Sequence, residues 1–116
     1  TTGTYKSLID SYAAVEVRPE LQGLKDNLAA MTEQMVKAVE AVTAVGDTHY
    51  TDFMARRMVE MCGCIVMGYL LVLDANRSES FTASATVYNK LAQAEVAKHA
   101  DFIANFKPEQ LSFYKA

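Results

Sequence analysis

The sequence contains few of the residues that interrupt helices. In 116 residues there are two prolines, five glycines and no tryptophan. The remainder is rich in Ala, Met, Leu, Val, Glu and Lys, a composition that favours α-helix. Just over half of the residues are hydrophobic, which is enough for a real core. We therefore predict an all-α protein without strands, in which residues 1–116 form a single helical-bundle domain.

The sequence also lacks any block of like charges, and its formal net charge is −3. A nucleic-acid-binding protein needs a basic stripe, and an anionic membrane surface attracts basic clusters. Neither kind of partner is expected. The chain starts with Thr-Thr-Gly, and no basic segment followed by an apolar one marks a signal peptide. Because there is no initiator methionine, we interpret the chain as a fragment of a longer protein, and processing of its N-terminus is the alternative.

Cysteine is scarce, since only Cys62 and Cys64 are present. Two positions apart on a helix, their side chains point to roughly opposite sides and cannot pair with each other. Without another cysteine or a nearby histidine they provide too few ligands for zinc. We expect two reduced, buried thiols, which suits a cytoplasmic protein.

Residues 4–15 are predicted to form a short first helix, which ends before Arg18 because a residue that precedes proline avoids helical angles. A second helix is predicted for residues 19–45, with Gly46 as its C-terminal cap. Its apolar residues alternate in steps of three and four and form a heptad seam of Leu21, Leu24, Leu28, Met31, Met35, Ala38, Val42 and Val45. This seam is the strongest pattern in the chain.

Two more long helices are predicted after it, for residues 49–75 and 80–106, with Asp47 or Thr48 capping the first of them. The third helix repeats the seam with Met54, Met58, Met61, Ile65, Gly68, Val72 and Ala75. The apolar side of the fourth consists of Phe81, Ala85, Tyr88, Leu91, Ala92, Phe102, Ile103 and Phe106. A last short turn is predicted to pack Leu111 and Phe113 back on the bundle.

The three long helices have nearly equal lengths, and short loops join them. Helices that are joined by short loops lie antiparallel. The predicted architecture is therefore an up-down antiparallel bundle of three long helices, with the short N-terminal helix across an end or in part of the fourth position.

The centre of the third helix is apolar on every side, because Met61 to Leu73 contains no charged residue. A membrane span needs about 20 apolar residues, and this run has 13, so no span is predicted. We expect a protein partner to cover the surplus, either another part of a longer chain or a second copy. The predicted interface consists of Val66, Met67, Leu70, Leu71 and Leu73. The alternative is that the short helix and the C-terminal tail cover it.

No catalytic, cofactor-binding or metal-binding motif can be assigned in the sequence. Glu95 and His99 are four residues apart on one helix face, within hydrogen-bonding reach. Such a pair is usually a polar contact at the edge of a bundle. The functional alternatives are an acid–base dyad, half of a metal site, or a phosphotransfer histidine.

The segments "ARRMVEMCGCIVMGYLLVLDANR" and "YNKLAQAEVAKHADFI" resemble the C-terminal helical extension of bacterial acyl-CoA dehydrogenases. The resemblance covers about residues 17–106. It rests on the helix pattern and on phrases such as Leu91-Ala92-Gln93-Ala94-Glu95, and it includes no catalytic signature.

The resemblance implies a parent enzyme that uses FAD to oxidise an acyl-CoA thioester to the 2,3-enoyl-CoA. All flavin contacts and the catalytic carboxylate would lie upstream, so no cofactor is expected in this chain. The resemblance also implies a non-catalytic domain that packs on the catalytic body or on a neighbouring subunit. Two alternatives remain, a stand-alone interaction or dimerisation module, and a bundle with its own site at Glu95 and His99.

Overall fold

A computed structural model of the chain describes the backbone of residues 2–107 and 109, and the side chains from residue 6 onward within them. In this part of the chain there are four α-helices, two short 3-10 helices and no strand. The α-helices are α1 (Thr2–Ala13), α2 (Gln22–Val45), α3 (Thr48–Arg77) and α4 (Thr82–Asn105), and the 3-10 helices are Pro19–Leu21 and Glu79–Phe81. The predicted all-α class is confirmed.

The three long helices each pack against the other two, and α1 packs mainly on α3. The result is the predicted antiparallel bundle of three long helices and one short one, elongated to 52 × 24 × 16 Å. All predicted helices exist, but their ends differ by a few residues. The largest difference is at the start of α2, where Pro19–Leu21 forms a 3-10 turn before the α-helix begins at Gln22. The turn predicted for Leu111 and Phe113 lies outside the described residues.

The heptad seam of α2 forms the centre of the core. Leu21, Leu28 and Met35 are almost fully buried, whereas Val45 at the end of the seam is 38% exposed. Helix α3 lies opposite and buries nine residues, among them Met54, Met61, Ile65, Gly68 and Val72 of its seam. Removing these apolar side chains from water is the main favourable contribution to folding.

Several predicted burials are wrong. Val45 of the heptad seam and Phe81 of the fourth helix's apolar side are 38% and 46% exposed. Leu91 was assigned to the apolar side of the fourth helix, but it is 58% exposed. The buried stripe of α4 instead runs through Ala85, Ala92, Val96 and Ile103, at helical spacing. Cys64 is only half-buried, at the boundary between α3 and α4, whereas Cys62 is buried as expected.

Asp47 caps the start of α3, one of the two caps that the sequence suggested. Its carboxylate Oδ1 accepts hydrogen bonds from the backbone N–H groups of His49, at 2.8 Å, and Tyr50, at 3.4 Å. These two donors have no partner inside the helix.

We expect Asp47→Ala to lower the free energy of unfolding by about 1 kcal/mol, because it removes this cap. Urea denaturation monitored by circular dichroism measures the change. Asp47→Asn is the control, since asparagine caps helices about as well as aspartate and should leave stability nearly unchanged. Equal losses in both variants would mean that the charge of Asp47, rather than the cap, is what matters.

Candidate functional surface on helices α3 and α4

One side of α3 faces away from the rest of the bundle. Val59, Gly63, Met67 and Leu70 lie on successive turns of this side, and we call them the outer stripe. Val59 is 59% exposed, Met67 46% and Leu70 38%. A Cβ atom added at Gly63 would meet nothing within 4 Å. The outer stripe is therefore apolar, free of charge, and uncovered by the described part of the chain.

Helix α4 extends this apolar surface. A shallow groove between the two helices is lined by Leu71 of α3 and by Ala83, Ser84, Val87, Tyr88 and Leu91 of α4. Val87 and Leu91 are about as exposed as Val59. Because Leu71 lies one turn beyond Met67, the groove adjoins the outer stripe. We refer to the outer stripe together with Leu71, Val87 and Leu91 as the outer apolar face.

The five residues of the predicted interface occupy different environments. Met67 and Leu70 are exposed in the outer stripe, and Leu71 lines the groove. Val66 is half-buried against the core, and Leu73 is also half-buried. The prediction did not include Val59, Gly63, Val87 and Leu91. Helical spacing from Met67 would have identified Val59 and Gly63, but the two α4 residues required knowledge of how α4 packs.

Helix α1 covers a flank of α3 and not the outer stripe. The Tyr12 ring lies 6.4 Å from the Tyr69 ring, centre to centre, and Tyr69 is only 2% exposed. Helix α1 therefore covers one side of the apolar run of α3. This agrees with part of the alternative interpretation, in which the short helix and the C-terminal tail cover that run. The residues of the outer stripe remain exposed beside it.

A polar cluster lies between the same two helices, toward the start of α3 and the end of α4. Glu60 comes from α3, and Glu95 and His99 come from α4. His99 Nε2 is 2.8 Å from Glu60 Oε2 and 3.6 Å from Glu95 Oε2. The His99 side chain is only 8% exposed, whereas the two carboxylates are roughly half-exposed. The cluster thus places one buried imidazole behind two accessible carboxylates.

Each carboxylate of this cluster also has a cationic neighbour. Arg56 Nε donates to Glu60 Oε1 at 3.2 Å, and Lys98 Nζ is 3.1 Å from Glu95 Oε2. The hydrogen bond from Arg56, with a contribution from the charge of His99, lowers the pKa of the Glu60 carboxyl. Glu60 is therefore ionised at neutral pH and available as an acceptor or a ligand.

Arg57 and the aromatic rings at this end of the bundle lie next to the polar cluster. The Arg57 guanidinium lies 4.2 Å from the centre of the Phe102 ring and 5.0 Å from that of Phe53. Arg57 also donates to the backbone carbonyl of Phe53 at 3.3 Å. Cation–π contacts of this kind hold a guanidinium in place. Arg57 and Phe102 line a polar pocket together with Arg56, Glu60, Lys98 and His99.

The sequence identified only part of this polar cluster. It predicted the proximity of Glu95 and His99, but the carboxylate nearest to His99 belongs to Glu60. No sequence pattern links Glu60 to His99, because they lie on different helices and meet only through packing. Burial of His99 does not suit a phosphotransfer histidine, which must be reached by a phosphoryl donor.

Cys64 lies one turn from Glu60, and burial raises the pKa of its thiol.

The fold and these two surfaces define a class. The described residues form a small all-α bundle in which we find no assembled nucleophile, oxyanion hole or phosphate loop. Its outer apolar face exposes large apolar side chains on two helices. Such a protein is a small helical-bundle domain with an apolar face that its described residues leave uncovered.

Comparison with known proteins supplies the family. Residues 1–111 match the family described as "Acyl-CoA dehydrogenase C terminal". The chain is 44% identical to an acyl-CoA dehydrogenase family protein of Porphyromonas gingivalis whose crystal structure is known, with a TM-score of 0.87. The similarity covers 92% of this chain and 93% of that one. No curated protein matches the chain.

The chain therefore belongs to the acyl-CoA dehydrogenase C-terminal domain family. The family match covers nearly the whole chain, and the resemblance noted in the sequence is confirmed.

Proposed function

We propose that this chain is the non-catalytic C-terminal helical domain of an FAD-dependent acyl-CoA dehydrogenase and packs through its outer apolar face on the catalytic domains of that enzyme. The single observation that carries the proposal is the outer stripe. Val59, Met67 and Leu70 expose apolar side chains over several turns of α3. Exposed apolar surface that is contiguous on this scale marks an interaction site.

Gly63 supports close docking at the centre of the outer stripe. It costs about 1 kcal/mol relative to alanine in a helix. Among the described residues, no atom from a neighbouring helix or from another side chain lies within 4 Å of where a Cβ would be. A partner backbone or side chain that approaches α3 at this point would give the glycine a structural role.

The chemistry of the proposed parent enzyme belongs to its other domains. In that enzyme the other domains would hold FAD, which would supply the redox chemistry that oxidises an acyl-CoA thioester. The contribution of this domain is structural, because a buried apolar interface adds stability to the catalytic body. Accordingly, we expect the isolated 116-residue chain to bind neither flavin nor acyl-CoA.

Helix α3 is long and apolar enough to cross a membrane by length and composition, a test that the core helix of a soluble protein also passes. Here α3 contributes nine buried residues to the bundle and carries Glu60 and Asp74 on either side of its apolar run. We infer that α3 is a bundle helix. A cytoplasmic location, in which Cys62 and Cys64 stay reduced, agrees with this assignment.

The second candidate is a stand-alone module that dimerises through the same face. The similar Porphyromonas gingivalis chain favours it. The matched region makes up 93% of that chain, so the crystallised chain consists of little besides this bundle. In this case the outer stripe would meet a second copy of itself around a twofold axis.

Light scattering separates the two candidates. We expect the chain alone to be a monomer, and to form a 1:1 complex when it is mixed with catalytic domains expressed separately from the same gene. Met67→Lys with Leu91→Lys should abolish the complex without changing the helical content, because both side chains are exposed in the free chain. Val15→Lys with Val45→Lys is the matched control, since both residues are exposed apolar positions outside α3 and α4.

A dimer of the isolated chain that the Met67→Lys, Leu91→Lys variant converts to a folded monomer would favour the stand-alone module. Flavin binding by the isolated chain, or a complex that survives this variant, would contradict the proposed role.

A further inference from the structure

We propose that Glu60, Glu95 and His99 form a binding site for a divalent transition-metal cation of the Zn²⁺ type, which would link α3 to α4. One carboxylate oxygen from each glutamate and one ring nitrogen of His99 all lie within 4.8 Å of one another. Neither the family assignment nor the proposed function requires this site.

The unusual member of this cluster is His99. Its side chain is more than nine-tenths buried, and its Nε2 atom has no hydrogen-bond partner. Nε2 is 2.8 Å from Glu60 Oε2, but the angle at the ring nitrogen is unsuitable for a hydrogen bond to that oxygen. Buried polar atoms normally have a partner. A metal ion bound by His99 Nε2 and Glu60 Oε2 would lie to one side of the line between these two atoms. It would therefore be the partner that Nε2 lacks.

The spacing of the three atoms is suitable for a metal ion. Zinc binds imidazole nitrogen and carboxylate oxygen at roughly 2.0–2.2 Å, so two ligands in a tetrahedral site lie about 3.3–3.5 Å apart. His99 Nε2 lies 2.8 Å from one carboxylate oxygen and 3.6 Å from the other, values on either side of that separation. Small rotations of two half-exposed glutamate side chains would complete the geometry.

The types of ligand select the class of metal. One imidazole with two carboxylates suits zinc and similar cations, whereas Ca²⁺ and Mg²⁺ prefer oxygen ligands alone. Glu95 and His99 are four residues apart and therefore lie on one face of α4. Three protein ligands leave a fourth position of a tetrahedral site for water. Two of them, Glu60 and His99, line the polar pocket.

Three cationic side chains lie beside the cluster, and two of them, Arg56 and Lys98, contact its carboxylates. The third, Arg57, lies over the Phe102 ring. Arg56 holds Oε1 of Glu60 and leaves Oε2 directed to His99. Lys98 lies beside Oε2 of Glu95, the oxygen nearest to His99, and competes with a metal there. The Lys98 side chain is 62% exposed, so it can move into solvent when a cation binds. Removal of its amino group should therefore strengthen metal binding.

Titration of the chelator-treated chain with Zn²⁺ by calorimetry tests the proposal. We expect one zinc ion per chain, and a rise in melting temperature on binding. Glu95→Gln and His99→Gln should each weaken binding at least about tenfold, a loss comparable to that seen when a metal-site residue is mutated. Lys98→Ala should strengthen it. His49→Gln and Glu33→Gln are controls outside the cluster and should have no effect.

Co²⁺ absorption identifies the ligands independently of affinity. We expect a spectrum without the thiolate-to-cobalt charge-transfer band, since no cysteine belongs to the proposed site. The absence of zinc binding would overturn the proposal. Binding that survives Glu95→Gln but disappears in Cys62→Ser or Cys64→Ser would also overturn it. Glu95→Gln keeps the test valid if His99→Gln does not fold, because the Glu95 side chain is 48% exposed.

Discussion

Leu28→Ala is expected to lower the free energy of unfolding by about 2–5 kcal/mol, since truncating a fully buried leucine leaves a cavity that the core fills only in part. Leu28 lies in the heptad seam of α2 and has no exposed surface. Its side chain packs directly against Gly68 of α3. Urea denaturation measures the loss, and a chain of this length is expected to unfold in a single cooperative step.

Leu91→Ala is the matched control, with the same replacement at an exposed position. Leu91 is 58% exposed, so its truncation should change the stability of the isolated chain by less than about 0.5 kcal/mol. A similar loss in both variants would mean that Leu91 belongs to the core, as its sequence pattern suggested. A loss below about 0.5 kcal/mol for Leu28→Ala would show that the seam is misassigned.

The fold could be predicted because the strongest signals in the sequence are local and periodic. The 3-4 spacing from Leu21 to Val42 indicates a helix with one buried side, and that side is the one buried. Short connections then require antiparallel neighbours. The buried side of α4 was harder to recognise. Of its six buried residues, Ala85 and Ala92 are small and Asn89 and His99 are polar, so they form no clear apolar pattern.

Contacts between residues that are distant in the sequence could not be predicted. Asn89 of α4 is buried against α2. Its side chain donates to the carbonyl of Leu24 at 3.1 Å and accepts from the Asn27 side chain at 2.8 Å. Its neighbours in the sequence gave no reason to expect a buried amide. A polar residue acquires such a role only when packing brings its partners within reach.

Arg18 is a second example of this kind. The sequence marked it only as the residue before Pro19. In the structure its guanidinium donates to the carbonyl of Ala75, and its backbone N–H donates to Asn76 Oδ1 at 2.9 Å. The loop before α2 therefore caps the last turn of α3. Glu60 was missed in the polar cluster for the same reason, since its partner His99 lies on another helix.

Gly63→Ala is expected to be more stable than Gly68→Ala, although both glycines lie in the same apolar run of α3. A Cβ atom added at Gly68 would lie 2.5 Å from Leu28 Cδ2, which is too close for two carbon atoms. A Cβ added at Gly63 would meet no atom within 4 Å. The replacement is the same in both cases, so the gain in helix propensity cancels in the comparison. Gly68→Ala should therefore be less stable than Gly63→Ala by about 1–3 kcal/mol, the usual cost of overpacking a core.

The identity of the clashing atom can be tested with a double mutant. If Leu28 Cδ2 is the obstacle, Gly68→Ala should cost much less when it is combined with Leu28→Ala, because the truncated side chain leaves room for the new methyl group. Urea denaturation of the wild type, both single variants and the double variant should give a coupling free energy of at least about 0.5 kcal/mol, as is usual for residues in contact. If the free-energy changes of the two single variants simply add up in the double variant, α3 moves as a whole to make room for the methyl group. Equal stability of the two glycine variants would place the closest approach of α2 and α3 elsewhere along the seam.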